Sequence, residues 1–431
     1  MSLLMLITDN WYDIRDLGNV SHEILYQLDR VLPYSLVYII AALMGFVASF
    51  LIFVLPSQLF VGVLGERKII GRMQSRYGPN RVGKFGLLQP IADAIKLIQK
   101  EALTPKAADK AVMYIAPIVF VAPAVLLFAV VPFGGHSVFA DIPVSIVYFI
   151  AISGLPVLAA FIGGWSHANK YSLCGSMRIV AMTISYEVPL VLSLLSVVLI
   201  TGTMRLGGHD GIDGIVQWQR DYHIWLIFLQ PLAFLIYFFC VSAELNRTPT
   251  DIAEAESEIV AGYLTEYSGM KWGLFYGMDI GYALAAAAFA STVFLGGWSM
   301  FGLDRWIPSW LIIIAKTHLF YFIFIWTRGT LPRLRIDQLM TFAWKFLLPL
   351  SLANLLVIAT EKVIWNKATD GNFDNFWVYI FAAVNILLSV AAVFIWARLL
   401  GYRPEATPKR PRLVNTASGY VPVPAPSREV R

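Results

Sequence analysis

The chain has 431 residues, of which 58% are hydrophobic and 14% are charged, and its mean hydropathy is +0.66. Such a composition excludes a soluble globular protein. The formal net charge of +5 is explained by basic loops beside a membrane and requires no nucleic acid as a partner. The two cysteines, Cys174 and Cys240, are too few for a disulfide framework or a set of iron–sulfur ligands.

Nine apolar stretches are long enough to cross a bilayer as helices, which takes about 20 residues each. They show no alternation of apolar and polar residues, so they are not strands of a membrane barrel. The sequence therefore predicts an all-α polytopic membrane protein with about nine transmembrane helices. The stretches are 34–65, 112–132, 144–163, 178–200, 223–243, 274–297, 309–327, 343–360 and 376–400.

Lysine and arginine are distributed unevenly between the two sides of this bundle. Of the 33 basic residues, 25 fall in five alternate segments, which are 66–111, 164–178, 244–273, 328–345 and 398–431. Basic residues accumulate in loops on the cytoplasmic side of a membrane. The N-terminus is therefore predicted to lie outside and the C-terminus inside.

Four regions follow from this arrangement. They are an outer-side N-terminal segment at 1–33, a membrane core at 34–360, an extra transmembrane helix at 361–400 and a proline-rich basic inner tail at 401–431. The core contains two large inner loops, 66–111 and 244–273. The N-terminal segment has no basic stretch followed by an apolar core, so no cleavable signal peptide is predicted.

The first large inner loop is basic and contains an amphipathic segment. Gly78-Pro79-Asn80 predicts a turn. After it, apolar residues recur at helical spacing over 87–100, whereas Asp93, Lys96 and Lys100 occupy other faces. This pattern is typical of a helix in the membrane interface. A basic loop that only fixes topology would explain the charges but not the helical spacing.

Glu187 lies nine residues into the predicted helix 178–200. A carboxylate at that depth is costly and usually faces the bundle interior or a water-filled cavity. The alternative is a structural ion pair with Arg178 at the inner end of the same helix. Pro189 frees the carbonyl of Ser185, which provides a place for water.

The second large inner loop is acidic. From Glu244 to Glu266 it holds six carboxylates and a single basic residue, Arg247. Carboxylates crowded at a membrane edge raise one another's pKa, because like charges in a poorly solvated place do not all ionise. Such groups are suited to take up and release protons near neutral pH.

A helix is predicted to start in this loop, with Thr248 as its N-cap, Pro249 as its first residue and Asp251 as its third. In that helix Asp251, Glu254 and Glu258 would share one face, because they are three and four residues apart. Glu256 would point elsewhere. The alternative interpretations are a solvated acidic loop and a helix whose carboxylates serve as caps and pair with Arg247.

Two further ionisable residues lie in the helices that follow. Asp279 is five residues into 274–297, and Lys316 lies near the middle of 309–327. Glu187, Glu244, the carboxylates of 251–258 and Asp279 form a row from the inner surface toward the membrane centre, which Lys316 continues. We interpret this row as a path for protons or water.

Several long motifs occur in order along the chain. They are Glu66-Arg67-Lys68, Tyr77-Gly78-Pro79-Asn80, the stretch from Gly86 to Leu97, Ile184-Ser185-Tyr186-Glu187-Val188-Pro189, the stretch from Ala243 to Glu258, and that from Pro332 to Met340. With them, residues 34–360 resemble the H subunit of proton-pumping NADH–quinone oxidoreductase, respiratory complex I, whose mitochondrial counterpart is subunit 1. The run 376–400 and the tail extend beyond the eight-helix core of that family.

The resemblance implies a membrane subunit of an NADH:quinone reductase that forms the quinone access channel and couples quinone reduction to proton translocation. It implies no cofactor bound by this chain alone, with quinone as the substrate and with FMN and iron–sulfur clusters in partner subunits. The expected partners are hydrophilic subunits on the inner side, antiporter-like membrane subunits at the side, and membrane lipids. The expected location is the bacterial cytoplasmic membrane, with the mitochondrial inner membrane as the alternative.

The resemblance also implies where quinone enters. The over-long first helix, the amphipathic helix 87–100 and helix 274–297 are expected to frame an opening near the inner interface. Arg67 and Arg76 are expected to line the path of the quinone head group, and Asp93 to orient them. Binding of lipid phosphate is the alternative role for these arginines. The row of acids matches the family's acidic funnel, and no metal site is predicted.

Other classes of membrane protein fit less well. A cytochrome b-type carrier needs paired histidines inside helices, and only His318 lies clearly mid-membrane. No glycine-rich loop opens a βαβ unit, so no NADH or flavin site is predicted. A stand-alone proton or cation transporter stays open as an alternative, although no internal repeat is seen. So does a quinone-independent anchor subunit of a membrane-bound hydrogenase-type complex.

Overall fold

The computed structural model describes residues 47, 54–135, 138–207, 213–252, 259–301, 306–368, 375–399, 412–416 and 419–423. Within these residues the membrane part is helical, which confirms the predicted all-α class. The α-helices are α1 (Glu66–Met73), α2 (Gln89–Gln99), α3 (Lys110–Leu126), α4 (Ser145–Ser153), α5 (Leu155–Ser166), α6 (Lys170–Thr201), α7 (Ile215–Asp221), α8 (Leu226–Leu229), α9 (Pro231–Glu244), α10 (Met270–Leu295), α11 (Ser309–Thr330), α12 (Ile336–Phe342), α13 (Leu348–Ala368) and α14 (Asn375–Leu399). π-helical segments precede α1, at Ser57–Gly65, and join α12 to α13, at Ala343–Leu347.

Eight of the nine predicted spans correspond to helices of the described chain. Seven are long and apolar enough to cross a membrane, and α9 is a shorter apolar helix. The ninth, 34–65, lies mostly outside the described residues, which include only residue 47 and the final part, 54–65, of this stretch. The predicted multi-pass helical architecture is therefore confirmed wherever the structure describes it.

The middle of the bundle is α10. In its apolar window 89% of the residues are buried, against 22% to 56% in the other long spans. Small residues from Ala283 to Ala290 let neighbouring backbones approach closely, as is common between membrane helices. It packs against α3 on one side and α11 on another, while α6 packs against α5, α9 and α13. Side chains on α10 are therefore placed among several neighbouring elements.

Polar residues and glycines set the ends of the long helices. The Asp109 carboxylate accepts hydrogen bonds from the first backbone amides of α3, and the Asn169 side chain does the same for α6 at Tyr171. At the other end of α6, Gly202 adopts a left-handed conformation with φ of 74°, which suits a glycine C-cap. These caps explain where α3 and α6 begin and where α6 stops.

Several boundaries differ from the prediction. Helix α6 begins at Lys170, so Arg178 lies two turns inside the helix, not in a loop. The stretch 144–163 is divided at Gly154 into α4 and α5, and the stretch 223–243 is divided at Gln230 into α8 and α9. Pro231, which has no amide hydrogen to donate, follows the second break directly. Hydropathy alone reports neither break, because the residues on both sides are equally apolar.

The predicted amphipathic helix is confirmed as α2. Its apolar face is exposed in the isolated chain, with Ile91, Ile95 and Ile98 at 45%, 50% and 67%. It contacts the segment Ser57–Gly65 and the start of α10. The three elements expected to frame an opening are therefore neighbours in the structure.

The chain divides into two compact units at Ile386 and Leu387. The second unit contains a short hairpin that was not predicted from the sequence. Its strands, β1 (Arg412–Thr416) and β2 (Gly419–Val423), pair antiparallel with Val414 opposite Val421.

Candidate functional site

A buried ionic cluster lies where α1, α11 and the segment after α9 meet. Glu66, the first residue of α1, is 4% exposed. Its carboxylate accepts a hydrogen bond from Tyr321 at 3.0 Å, faces Arg247 at 3.4 Å and pairs with Arg328. A carboxylate removed from water needs this many donors, because an unpaired buried charge costs several kcal/mol. We call these four residues the Glu66 cluster.

The Glu66 cluster keeps its charges. Burial by itself raises the pKa of Glu66, but Arg247, Arg328 and the Tyr321 hydroxyl outweigh it and hold that pKa below its ordinary value. Burial likewise opposes the charge of Arg247, and Glu66 overcomes it, so that the pKa of Arg247 is raised. Glu66 is therefore an anion and Arg247 a cation at neutral pH.

Asp279 joins this cluster to a polar cavity. Its Oδ2 lies 3.9 Å from Nη2 of Arg247, and its side chain is 36% exposed although it belongs to the most buried helix. That exposure arises because Asp279 lines a cavity together with Arg247, Tyr276 and Arg328. The same carboxylate also lines a second cavity, whose walls are mainly apolar.

The second cavity contains Glu244. This last residue of α9 is half-buried and shares the cavity with Asn246, Tyr282 and Asp279. Ser153, at the end of α4 beside the Gly154 break, is a side-chain hydrogen-bond partner of Glu244. The break in the span 144–166 therefore brings a hydroxyl group to the carboxylate.

Glu187 opens onto a third cavity, which lies between α5 and α6. Gly154 and Val157 line it too, and Val157 also lines the Glu244 cavity. Glu187 and Glu244 are close enough to interact electrostatically. Arg178 lies nine residues earlier on α6, which is half a turn out of phase, so the two side chains leave opposite faces of the helix.

Arg67 and Asp93 form an ion pair between α1 and α2, with 2.6 Å between Nη1 and Oδ2. Gln89 donates to the other oxygen of Asp93 at 2.9 Å, and Tyr276 of α10 is a further partner of Arg67. Burial raises the pKa of Asp93, but its bonds to Arg67 and Gln89 lower it more. The structure thus pairs Asp93 with Arg67.

Arg76 lies in the exposed turn after α1, where its Nε donates to Gln74 at 2.7 Å. It belongs to the same segment, 66–111, as Arg67. Asp93 was expected to orient both arginines. In the structure it pairs with Arg67, whereas the described partner of Arg76 is Gln74.

The predicted helix start at Thr248 is wrong. Residues 248–252 form a turn, a bend and irregular chain, and the hydroxyl of Thr250 donates to the carbonyls of Ser242 and Arg247. Asp251 is 4% exposed and pairs with Arg333 at 2.9 Å, and the amide of Leu334 donates to the carbonyl of Pro249. These contacts between two loops override the local capping signal. Glu254, Glu256 and Glu258 lie outside the described residues.

Lys316 is placed at the far end of α10 from Asp279. Its ammonium donates to the carbonyls of Leu295, Gly297 and Ser299 at 2.7, 2.9 and 2.6 Å. Gly296 and Gly297 have positive φ angles, which let these carbonyls turn toward the lysine. An ammonium group has three N–H donors, and each of them has an acceptor here. The structure thus places Lys316 at the end of α10 and not beside Glu187, Glu244 or Asp279.

Glu66, Tyr321 and Arg328 were not predicted as site residues from the sequence. Tyr321 and Arg328 are seven residues apart on α11, which places them on one face toward α1. An arginine at the end of an apolar run is equally typical of a basic residue that only sets membrane topology. The seven-residue spacing alone therefore did not identify Tyr321 and Arg328 as site residues. Within the described ranges, no group of three or more His, Cys, Asp or Glu is arranged to hold a metal ion.

Comparison with known proteins identifies the family of this chain. The sequence profile of a family described as NADH dehydrogenase matches residues 42–359. The chain belongs to the NADH dehydrogenase family. This confirms the resemblance found in the motifs.

Individual relatives in the NADH dehydrogenase family agree with the profile. One is the NADH-quinone oxidoreductase H subunit of Dehalococcoides mccartyi (strain CBDB1), which is 48% identical over 333 residues, 77% of this chain and 88% of the relative. Another is the H subunit of Geobacillus kaustophilus (strain HTA426), at 50% over 302 residues, 70% of this chain and 88% of the relative. The region matched by the family profile contains every candidate residue discussed above.

Proposed function

We propose that this chain is the quinone-admitting, proton-conducting membrane subunit of a bacterial NADH–quinone oxidoreductase. Its relatives are named as the H subunit of that enzyme, and the chain is a multi-pass membrane protein. Electrons come from NADH through FMN and iron–sulfur clusters of hydrophilic partner subunits on the inner side. This chain supplies no redox centre and acts on quinone and on protons. Antiporter-like membrane subunits bind at its side and are coupled through it to quinone reduction.

The observation that carries the proposal is the position of Asp279. Its carboxylate touches the Glu66 cluster through Arg247 and lines both inner cavities. Asp279 therefore stands between a cavity lined by Arg328 and Tyr276 and a mainly apolar one that contains Glu244. A carboxylate at the junction of two cavities that each hold ionisable groups is suited to pass a proton between them.

The path continues from Glu244 to Glu187. These acids belong to α9 and α6, interact electrostatically, and line cavities that share Val157. Water in the Glu187 cavity would complete the connection to the lateral surface of the bundle. We assign Glu187, Glu244 and Asp279 to the proton path, and Asp251 with Glu254, Glu256 and Glu258 to its inner approach.

Quinone enters at the other side of α10, where α2 meets Ser57–Gly65. The exposed apolar face of α2 suits the bilayer interface and the quinone tail. The Arg67–Asp93 pair with Tyr276 offers polar contacts to the head group as it moves inward. Arg76, on the same inner loop, lines this approach.

Arginine variants test the quinone part of the proposal. In the purified complex, Arg67→Ala and Arg76→Ala should raise the KM for a short-chain quinone severalfold and leave NADH oxidation by a hydrophilic acceptor unchanged. Arg81→Ala is the matched control, because Arg81 is an exposed arginine of the same loop. Equal loss of both activities in the two test variants, or an equal effect of Arg81→Ala, would contradict the assignment.

A further inference from the structure

The C-terminal helix α14 lies outside the matched family region, which ends at residue 359. Its first half nevertheless has a buried face. Val378, Ala382 and Asn385 are 0%, 6% and 4% exposed, whereas their neighbours Tyr379 and Ala383 are exposed. Positions separated by four and three residues lie on one face of a helix. Small and polar residues on such a face are typical of packing between membrane helices.

The outer end of α13 provides partners for this face. The rings of Trp365 and Phe381 stack with centroids 5.1 Å apart and planes within 17°. Trp365 is 2% exposed. Asn385 lies close enough to Glu361 for the two side chains to interact, so a carboxyl group in an apolar helix has a polar group opposite it. Both residues of α13 in these contacts also lie beyond residue 359.

The same end of α13 is tied to α6. Lys362 donates to the carbonyl of Ile200 at 2.7 Å, in the last turn of α6, and its ammonium lies 5.7 Å from the centre of the Trp365 ring. A cation at the C-terminal end of a helix satisfies a free carbonyl and the negative end of the helix dipole. Trp365 therefore contacts both Lys362 and Phe381.

We propose that α14 is a docked membrane helix whose binding surface is the outer end of α13, and that this docking braces the outer end of α6. The Trp365–Phe381 stack provides the apolar contact. The Glu361–Asn385 contact fixes the register, since a slip by one residue would leave a carboxyl group facing lipid. The brace reaches α6 through Lys362, and α6 is the helix that carries Glu187.

Cross-linking in native membranes tests the docking. A protease site is placed in the connection 369–374 and Cys174 is replaced by serine. Trp365→Cys is then combined with Phe381→Cys or with Tyr379→Cys, and a short bis-maleimide is added. The first pair should keep the cleaved fragments joined on a denaturing gel. The second pair is the control and should not join them. Equal joining of both pairs, or joining of neither, would overturn the proposal.

A pair of alanines tests the brace in the complex solubilised from the same membranes. Ala382→Leu adds bulk to the buried face, and Ala383→Leu makes the same change on the exposed face. After cleavage in the connection 369–374 and a detergent wash, Ala382→Leu should release α14, whereas Ala383→Leu should retain it. In a Thr201→Cys background, maleimide labelling at the end of α6 should become at least threefold faster with Ala382→Leu only. Loss of α14 from the otherwise unsubstituted protein, or identical labelling in both variants, would contradict the brace.

Discussion

Nη1 of Arg247 lies 3.4 Å from Oε2 of Glu66, although 181 residues separate them along the chain. Arg328 and Tyr321, from a third element, complete the coordination of the carboxylate. This arrangement joins the start of the first inner loop to the acidic loop and to α11. It fixes the two guanidinium groups beside the cavity that Asp279 lines.

Removing the central anion should destabilise this junction. Glu66→Gln leaves Arg247 and Arg328 without their shared counter-ion, and breaking a buried ion pair from one side typically costs about 3–5 kcal/mol. We expect a lower yield of assembled complex and a lower midpoint of thermal unfolding. Glu101→Gln is the control, because Glu101 is an exposed carboxylate of the same inner loop. An unchanged midpoint for Glu66→Gln would show that the cluster contributes little to stability.

The Glu66 cluster also predicts how stability depends on pH. The pKa of Glu66 is held below its ordinary value of 4.5, so its contribution is complete above that pH. The contribution is lost as the pH falls through the lower folded-state pKa, because the protonated acid no longer pairs with arginine. When the pH is lowered below about 4.5, the temperature of the unfolding midpoint should therefore decrease. This decrease should be smaller in the Glu66→Gln variant. Identical acid profiles in both proteins would argue against an ionised Glu66.

Asp251 and Arg333 connect the acidic loop to the loop before α12. A double-mutant cycle of Asp251→Asn and Arg333→Ala should give a coupling of about 1 kcal/mol, since the half-exposed arginine is screened by water. Thermal unfolding of the complex provides the measurement. Arg335→Ala should show no coupling with Asp251→Asn, because Arg335 is an exposed neighbour in that loop. Additive effects of the two test substitutions would show that the Asp251–Arg333 ion pair does not stabilise the protein.

Lys316 should act as a structural cap. Lys316→Met removes donors to three carbonyls at the end of α10 and leaves them without partners, which destabilises the C-terminal end of that helix. We expect a lower thermal midpoint of the complex. The number of protons pumped per electron in the surviving complex should be unchanged, because the ammonium is far from the acids. Fewer protons pumped per electron, with an unchanged thermal midpoint, would indicate instead that Lys316 belongs to the proton path.

The membrane architecture was predictable because it follows from local composition. Apolar length located eight described helices, and the period of the apolar residues in 87–100 located α2. Asn169 is a residue type that favours an N-cap, and it caps α6. The start of this helix was nevertheless predicted at 178, because the apolar run begins only after Arg178. The breaks at Gly154 and Gln230 leave mean hydropathy unchanged, so only the packed structure shows them.

The candidate site was less predictable because its contacts are distant in sequence. Glu187, Glu244 and Asp279 stand out as rare acids in apolar helices, and the structure places them along neighbouring cavities. Glu66 does not stand out, because its neighbours are basic and its partners lie 181 and 262 residues away. Thr248 and Asp251 carried a local helix signal that Arg333 and Leu334 override. Local patterns report burial, whereas ionic partners are settled by tertiary packing.

The central claim is that Asp279, Glu244 and Glu187 carry protons. The most direct measurement is the number of protons pumped per electron by the complex reconstituted in vesicles, with Asp279→Asn, Glu244→Gln and Glu187→Gln. These substitutions keep shape and hydrogen bonding but do not titrate. Asp221→Asn on α7 is the control, because that carboxylate is bonded to Gln217 away from the cavities. We predict assembled complexes with sharply reduced proton-coupled quinone reduction for the three test variants and a normal control. Full turnover with a normal proton ratio in all three would mean that these acids serve only as scaffold.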